Sequence, residues 1–152
     1  MTPDDSLVRW FLKRSKNVRV ATLSAAEVPH ITPLRFIRTG RSIYSLTRLT
    51  TRTVRDIEER SDVVLLFDAE RPHGPVLRMR AHATVHTDAG LTAWYQRQAT
   101  LRYFLRPGGL LNMIANRGRL STWLGGDHGT GPGRDALIEF IPHTAEFLPV
   151  PR

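Results

Sequence analysis

From Val76 to His86 the chain alternates without a break. Leu77, Met79, Ala81, Ala83 and Val85 are apolar, and Arg78, Arg80, His82, Thr84 and His86 stand between them. A period of two sends the two sets to opposite faces of an extended chain, so this segment is a strand with one face on a core. Shorter segments follow the same rule. Val18 to Leu23 puts Val18, Val20 and Thr22 on one side. Val28 to Arg38 is extended, because Pro29 and Pro33 forbid a helix and mark an irregular or edge strand. Thr39-Gly40-Arg41 is a tight hairpin leading into a strand over Ser42 to Thr47. The unbroken run Val63-Val64-Leu65-Leu66-Phe67 suits a strand covered on both faces. Ala136 to Ile141 and Ala145 to Leu148 read as the last two strands, split by Pro142.

Helices frame these strands. Thr2 reads as an N-cap with Pro3 at the first helical position, and Leu7, Trp10 and Phe11 give a packed face that fades near Ser15. A short helix spans Thr51 to Arg60, with Val54 and Ile57 facing in. Asp88 caps a longer one running to about Arg106, with Leu91, Trp94, Tyr95, Gln98, Leu101 and Leu105 at three-to-four spacing and Pro107-Gly108-Gly109 ending it. Leu110 to Arg117 reads as a further short helix, and the Gly-rich segment Gly125 to Gly133 as a loop. Short hairpins and about seven strands favour a mainly β, α+β architecture: an antiparallel barrel with an N-terminal helix and a helical insertion before the last strands. The size prior gives one domain over residues 1–152.

Cysteine is absent, which excludes disulfides, thiolate zinc sites and a cysteine nucleophile. The acidic start Met1-Thr2-Pro3-Asp4-Asp5 is unlike a secretory leader, and no apolar run approaches the roughly 20 residues that span a bilayer. The expected setting is the cytoplasm, with no membrane partner. The formal net charge is +8, and only Lys13 and Lys16 among the 22 basic residues are lysine. Such a balance points to an acidic or phosphate-bearing partner, or to a genome rich in arginine codons. Basic and aromatic residues do not interleave as a nucleic-acid stacking platform requires.

One polar segment concentrates anion-binding groups. Thr47-Arg48-Leu49-Thr50-Thr51-Arg52-Thr53-Val54-Arg55 joins a strand to a helix start, where unpaired N–H groups and the macrodipole favour anions. Guanidinium forks and hydroxyls add phosphate donors. It reads as a phosphate cradle, or else as a solvated loop entering a cap. His82 and His86 share a strand face with His73 near in sequence, but no third ligand has fixed spacing, so no metal site is expected. Gly125 to Gly133 lacks the order of a phosphate-binding loop, and no catalytic triad is recognisable.

The order Val18 to Leu23, Pro29-His30-Ile31-Thr32-Pro33-Leu34-Arg35-Phe36, the Gly40 hairpin, Tyr44 to Ile57 and the strand at Val63 resembles the pyridoxamine 5'-phosphate oxidase-like superfamily of flavin-binding split barrels. The resemblance covers roughly residues 7–86. It implies flavin-ring and ribityl contacts from Ile31, Thr32, Pro33, Leu34 and Arg35, and from Leu46 and Thr47. It implies a phosphate site at Thr51, Arg52 and Thr53, where Thr53 replaces the lysine usual in the family and Arg48 or Arg55 is left to compensate. It also implies a homodimer with the cofactor between subunits, the partner chain contributing Arg78, Arg80 or His82. The expected cofactor is FMN, with coenzyme F420 as the alternative, and the expected activity is hydride transfer to or from a small organic substrate. Trp94, Tyr95, Arg102, Tyr103 and Trp123 are candidates for the substrate side, although Trp94 and Tyr95 read first as helix packing. No catalytic acid or base is named. The rival class is a non-catalytic binder of flavin, haem or nucleic acid.

Overall fold

The computed structural model describes residues 1–69, 71–104 and 134–149. Their elements run α1 (Ser6–Arg14), β1 (Asn17–Leu23), β2 (Pro29–Arg35), β3 (Ile37–Thr39), β4 (Ser42–Arg48), α2 (Arg52–Glu59), β5 (Asp62–Asp68), β6 (Val76–His86), α3 (Ala89–Phe104) and β7 (Asp135–Leu148). The strands form one seven-stranded antiparallel sheet, ordered β2-β1-β5-β6-β7-β4-β3. Its two edge strands are consecutive in sequence, with Phe36 alone between them. A sheet whose opposite edges are joined by one residue must curl on itself, and this gives the half-barrel.

Phe36 is the seam. Its ring is fully buried and meets Phe67 edge-on at 5.0 Å. Its backbone has left one ladder without joining the next, so its polar groups need other partners. Tyr103 of α3 supplies both: its hydroxyl accepts from the Phe36 N–H at 3.2 Å and donates to the Phe36 carbonyl at 2.6 Å.

Inside the curl lie Val18, Val20, Leu65, Phe67, Leu77, Met79, Ala81, Ala83, Ile138 and Phe140, joined by Val8, Phe11 and Leu12 of α1 and by Val54 and Ile57 of α2. A second cluster lies on the outer face, where Tyr95 and Ala99 of α3 cover Ile37, Leu46 and Leu137. The β6 alternation places its apolar set inward and its polar set outward, as its period requires.

Five details differ from the sequence reading. Thr2 to Asp5 is a turn rather than a first helical turn: Asp5 accepts from the Thr2 N–H at 2.9 Å, and Asp4 pairs with Arg38 and Arg41, so both acids serve contacts outside α1. The buried face of α1 is Val8, Phe11 and Leu12, while Leu7 and Trp10 are each 52% exposed. On β5 the outward Val64 and Leu66 are only half-covered, so the described residues do not bury both faces. The last strand is a single one, for Pro142 sits where the β6–β7 register slips: Arg80 pairs Thr144, Ala81 pairs Pro142, and His143 is left over. A bulge is where a residue without an N–H costs least. On α3, Leu101 is exposed and Tyr95 with Ala99 makes a narrower seam than the spacing implied. Leu105, the Pro107-Gly108-Gly109 stop, the Leu110 to Arg117 helix, Trp123 and the Gly125 to Gly133 loop lie outside the described residues.

Candidate functional site

The head of α2 is built by two threonines. Thr51 is the N-cap: its Oγ1 accepts from the Val54 N–H at 3.4 Å and donates to the Arg48 carbonyl at 2.9 Å. The Arg55 N–H returns to the Thr51 carbonyl. The N–H groups of Arg52 and Thr53 are thereby left pointing out of the helix end, where the macrodipole is positive. Thr53 turns inward, 2% exposed, and shares a 2.7 Å hydrogen bond with Thr32. That bond pins the first turn of α2 against the middle of β2. One turn on, buried Asp56 accepts from Thr22 Oγ1 at 2.8 Å, fastening the same helix to β1.

Arg52 is exposed, and its side chain has no hydrogen bond or ion pair with any described residue. Arg55 is exposed three positions later, hence on the same side of the helix. The remaining candidates divide by face. Ile31 and Pro33 point outward and are exposed, while Leu34 packs against the core and Thr32 is held by Thr53. Arg35 stacks over the Tyr103 ring at 4.9 Å, and its carbonyl accepts from Tyr95 at 3.4 Å. Leu46 is 6% exposed beneath α3, and Thr47 is half-buried. Arg78 is ion-paired with Glu146, whereas Arg80 is exposed beside Val64 and His143 in a shallow recess of about 290 Å³. Ile31, Ala21, Val64 and Arg80 hold aligned register positions across β2, β1, β5 and β6, all on the outer face. The structure thus brings Thr32, Thr51, Arg52 and Thr53 together, and leaves Arg35 and Leu46 under α3.

The aromatic residues of α3 have structural partners. Trp94 meets Tyr44 edge-on at 5.0 Å, and Tyr95 is 1% exposed, its hydroxyl pushed far up mainly by burial. Arg102 donates to the carbonyls of Leu12 at 3.2 Å and Ser15 at 2.8 Å, and lies over Phe36 at 4.8 Å.

A polar network on the outer face went unread in the sequence. Glu139 of β7 receives Ser42 Oγ at 2.6 Å and Tyr44 Oη at 3.0 Å on one oxygen, and faces His86 Nε2 at 3.0 Å on the other. Burial alone would raise its carboxyl, but the bonds from Ser42, His86 and Tyr44 and the attraction of His86 together bring it below the usual value. Burial raises the Tyr44 hydroxyl, the Ser42 bond opposes this, and Glu139 adds to the rise. These residues are distant in sequence, and only the β4–β7 and β6–β7 registers unite them. His82 lies 4.0 Å from Asp62, and among the described residues no three metal-ligating side chains gather.

The family profile of pyridoxamine 5'-phosphate oxidase matches residues 5–145. The chain belongs to that family. No curated protein matches the sequence. Solved structures share the fold. An F420 reductase superposes with a TM-score of 0.63 at 15% identity, over 91% of this chain and 94% of its own. The haem storage protein HutZ from Vibrio cholerae gives 0.62 at 15% identity, over 95% and 92%. A conserved hypothetical protein from Mycobacterium tuberculosis gives 0.70 at 10% identity, over 95% and 83%. At such identities the likeness is one of fold. Among the described residues no helix is long and apolar enough to cross a membrane.

Proposed function

We propose that this family member is a cytoplasmic flavin-dependent oxidoreductase that binds FMN, with the deazaflavin coenzyme F420 as the alternative. The carrying observation is Arg52, an exposed guanidinium without a partner among the described residues, set at a helix head with two outward N–H groups. A terminal phosphate matches that donor set in charge and geometry. Thr53 spends its hydroxyl on Thr32, so a second cation falls to Arg55 rather than to the position where the family usually has lysine. Outward Ile31 and Pro33 offer an apolar edge to a ring beyond the phosphate. When bound, the flavin supplies the hydride chemistry, and the protein supplies binding, orientation and exclusion of water. The substrate is a small organic molecule.

The half-covered Val64 and Leu66 favour a second copy of the chain on the outer face. That copy would bring its own Arg80 toward the groove. The F420 reductase among the structural neighbours supports keeping F420 beside FMN.

The test is a fluorescence titration with FMN, riboflavin and F420. FMN is expected to bind more tightly than riboflavin, and Arg52→Ala is expected to remove that preference, a loss of about tenfold or more. Binding of neither FMN nor F420 overturns the proposal. The visible spectrum of the purified protein separates the rival classes, with a flavin band, a sharp haem band near about 400 nm, or nucleic-acid absorbance alone.

A further inference from the structure

At the far end of the curl, where β5 turns into β6, a recess of about 410 Å³ is lined by Trp10, Phe11, Arg14, Ser15, Ala69, Arg71 and Pro75. It shares no residue with the α2 head. We propose that this recess binds a small amphipathic organic anion, an aromatic or alicyclic carboxylate, with its ring on Trp10, Phe11 and Pro75 and its carboxylate between Arg14 and Arg71.

Three observations carry this. The first is that the indole is set out for use. Trp10 is 52% exposed, an unusual state for the largest apolar side chain, and Arg14 stands over its ring at 4.4 Å. A flat apolar surface with a cation beside it is the pattern that holds a ring bearing an acid group. The second is charge. Neither Arg14 nor Arg71 has an acidic partner among the described residues, and Asp68 of the same turn is taken by Arg19 at 2.7 Å. The negative end of α1 would oppose an anion, but part of it is already engaged: the Ser15 N–H occupies the Phe11 carbonyl, and Arg102 occupies those of Leu12 and of Ser15 just beyond the helix. The third is a set shape. Phe11 is fixed edge-on to Phe147 at 5.3 Å, and Ser15 Oγ ties α1 to the Asp68 carbonyl at 3.1 Å. The opposite wall turns at Gly74, where an added Cβ would lie 2.6 Å from the Ala69 Cβ, so the turn packs too closely for a side chain there. The volume is within the range of small-molecule sites.

The experiment is an NMR titration of the full chain with 2-naphthoate and with its neutral counterpart 2-naphthylmethanol, read at the Trp10 indole N–H. That resonance is assigned by its absence in Trp10→Phe. Naphthoate is expected to move it saturably and to bind about tenfold more tightly than the alcohol, as a charge-assisted contact implies. Arg14→Gln with Arg71→Gln is expected to bring naphthoate down to the alcohol's affinity while FMN binding stays unchanged. Arg52→Ala is expected to leave the Trp10 shift intact. An unmoved Trp10 resonance, equal affinity for acid and alcohol, a double variant like the wild type, or loss of the shift in Arg52→Ala would each overturn the assignment.

Discussion

A single hydroxyl holds the seam of this barrel. Tyr103 satisfies both backbone groups of Phe36, and among the described residues no strand is placed to replace it. Tyr103→Phe keeps the ring and its packing but leaves a buried N–H and a buried carbonyl unpaired. The expected loss is about 1–3 kcal/mol in urea unfolding, with the same slope. Glu139 gives a pH-dependent counterpart. Its pKa in the fold lies below the ordinary 4.5, so its stabilising effect is full above that value and is lost as pH falls through the folded pKa. Glu139→Gln is therefore expected to cost about 1–2 kcal/mol near pH 7, with the difference from wild type closing as pH falls below 4.5 and through the folded pKa. Unfolding midpoints measured across that range check the sign. Neither residue was legible as a partner in the sequence. Tyr103 read as a candidate for the substrate side, because an aromatic residue on a helix carries no mark of the backbone kink it will serve. The place of Arg52 at the exposed head of α2 was legible, since cap and helix start are local signals.

Elements were legible where their signal is local. The β6 alternation and the Gly40 hairpin both stand where the spacing put them, and α2 and β1 shift by one residue at their ends. Gly40 has a φ of +59°, and an added Cβ there would meet nothing within 4 Å. Gly40→Ala is therefore expected to cost about 1 kcal/mol from the left-handed backbone alone, without disturbing the Thr39–Ser42 pair, as thermal melts would register. Elements were misread where neighbours decide. Pro142 looked like a break, yet β6 is long enough to pair on both sides of it, so a bulge absorbs the proline and β7 stays whole. Just before α1, Asp4 is drawn to Arg38 on β3 and to Arg41 in the turn after it, so it serves the strands rather than the helix start. Composition and spacing within α1 carry no trace of that pull.

At the scale of the whole molecule the missing piece is what covers the outer face. β5 is apolar on both sides, but among the described residues only its inner set, Val63, Leu65 and Phe67, is buried. Exposed Ile31 and half-buried Ala21 and Val64 make an apolar row across three strands, with Arg80 at its end. Sheet edges are poor places to pair, because β2 carries Pro29 and Pro33 and β3 is three residues long. In the proposed dimer a second copy laid face to face would bury the row, which would match the reading of Val63 to Phe67 as a strand covered on both sides. Val64→Lys sets a charge in that row beside Arg80, where water tolerates it in a lone chain and a dimer does not. The variant is expected to keep its circular dichroism spectrum, to sediment at the monomer mass where the wild type sediments as a dimer, and to lose FMN affinity together with the dimer. If the variant stays dimeric or the wild type is already monomeric, the apolar row has another purpose. If the variant becomes monomeric yet binds FMN undiminished, the cofactor lies within one subunit and Arg80 of the second copy takes no part.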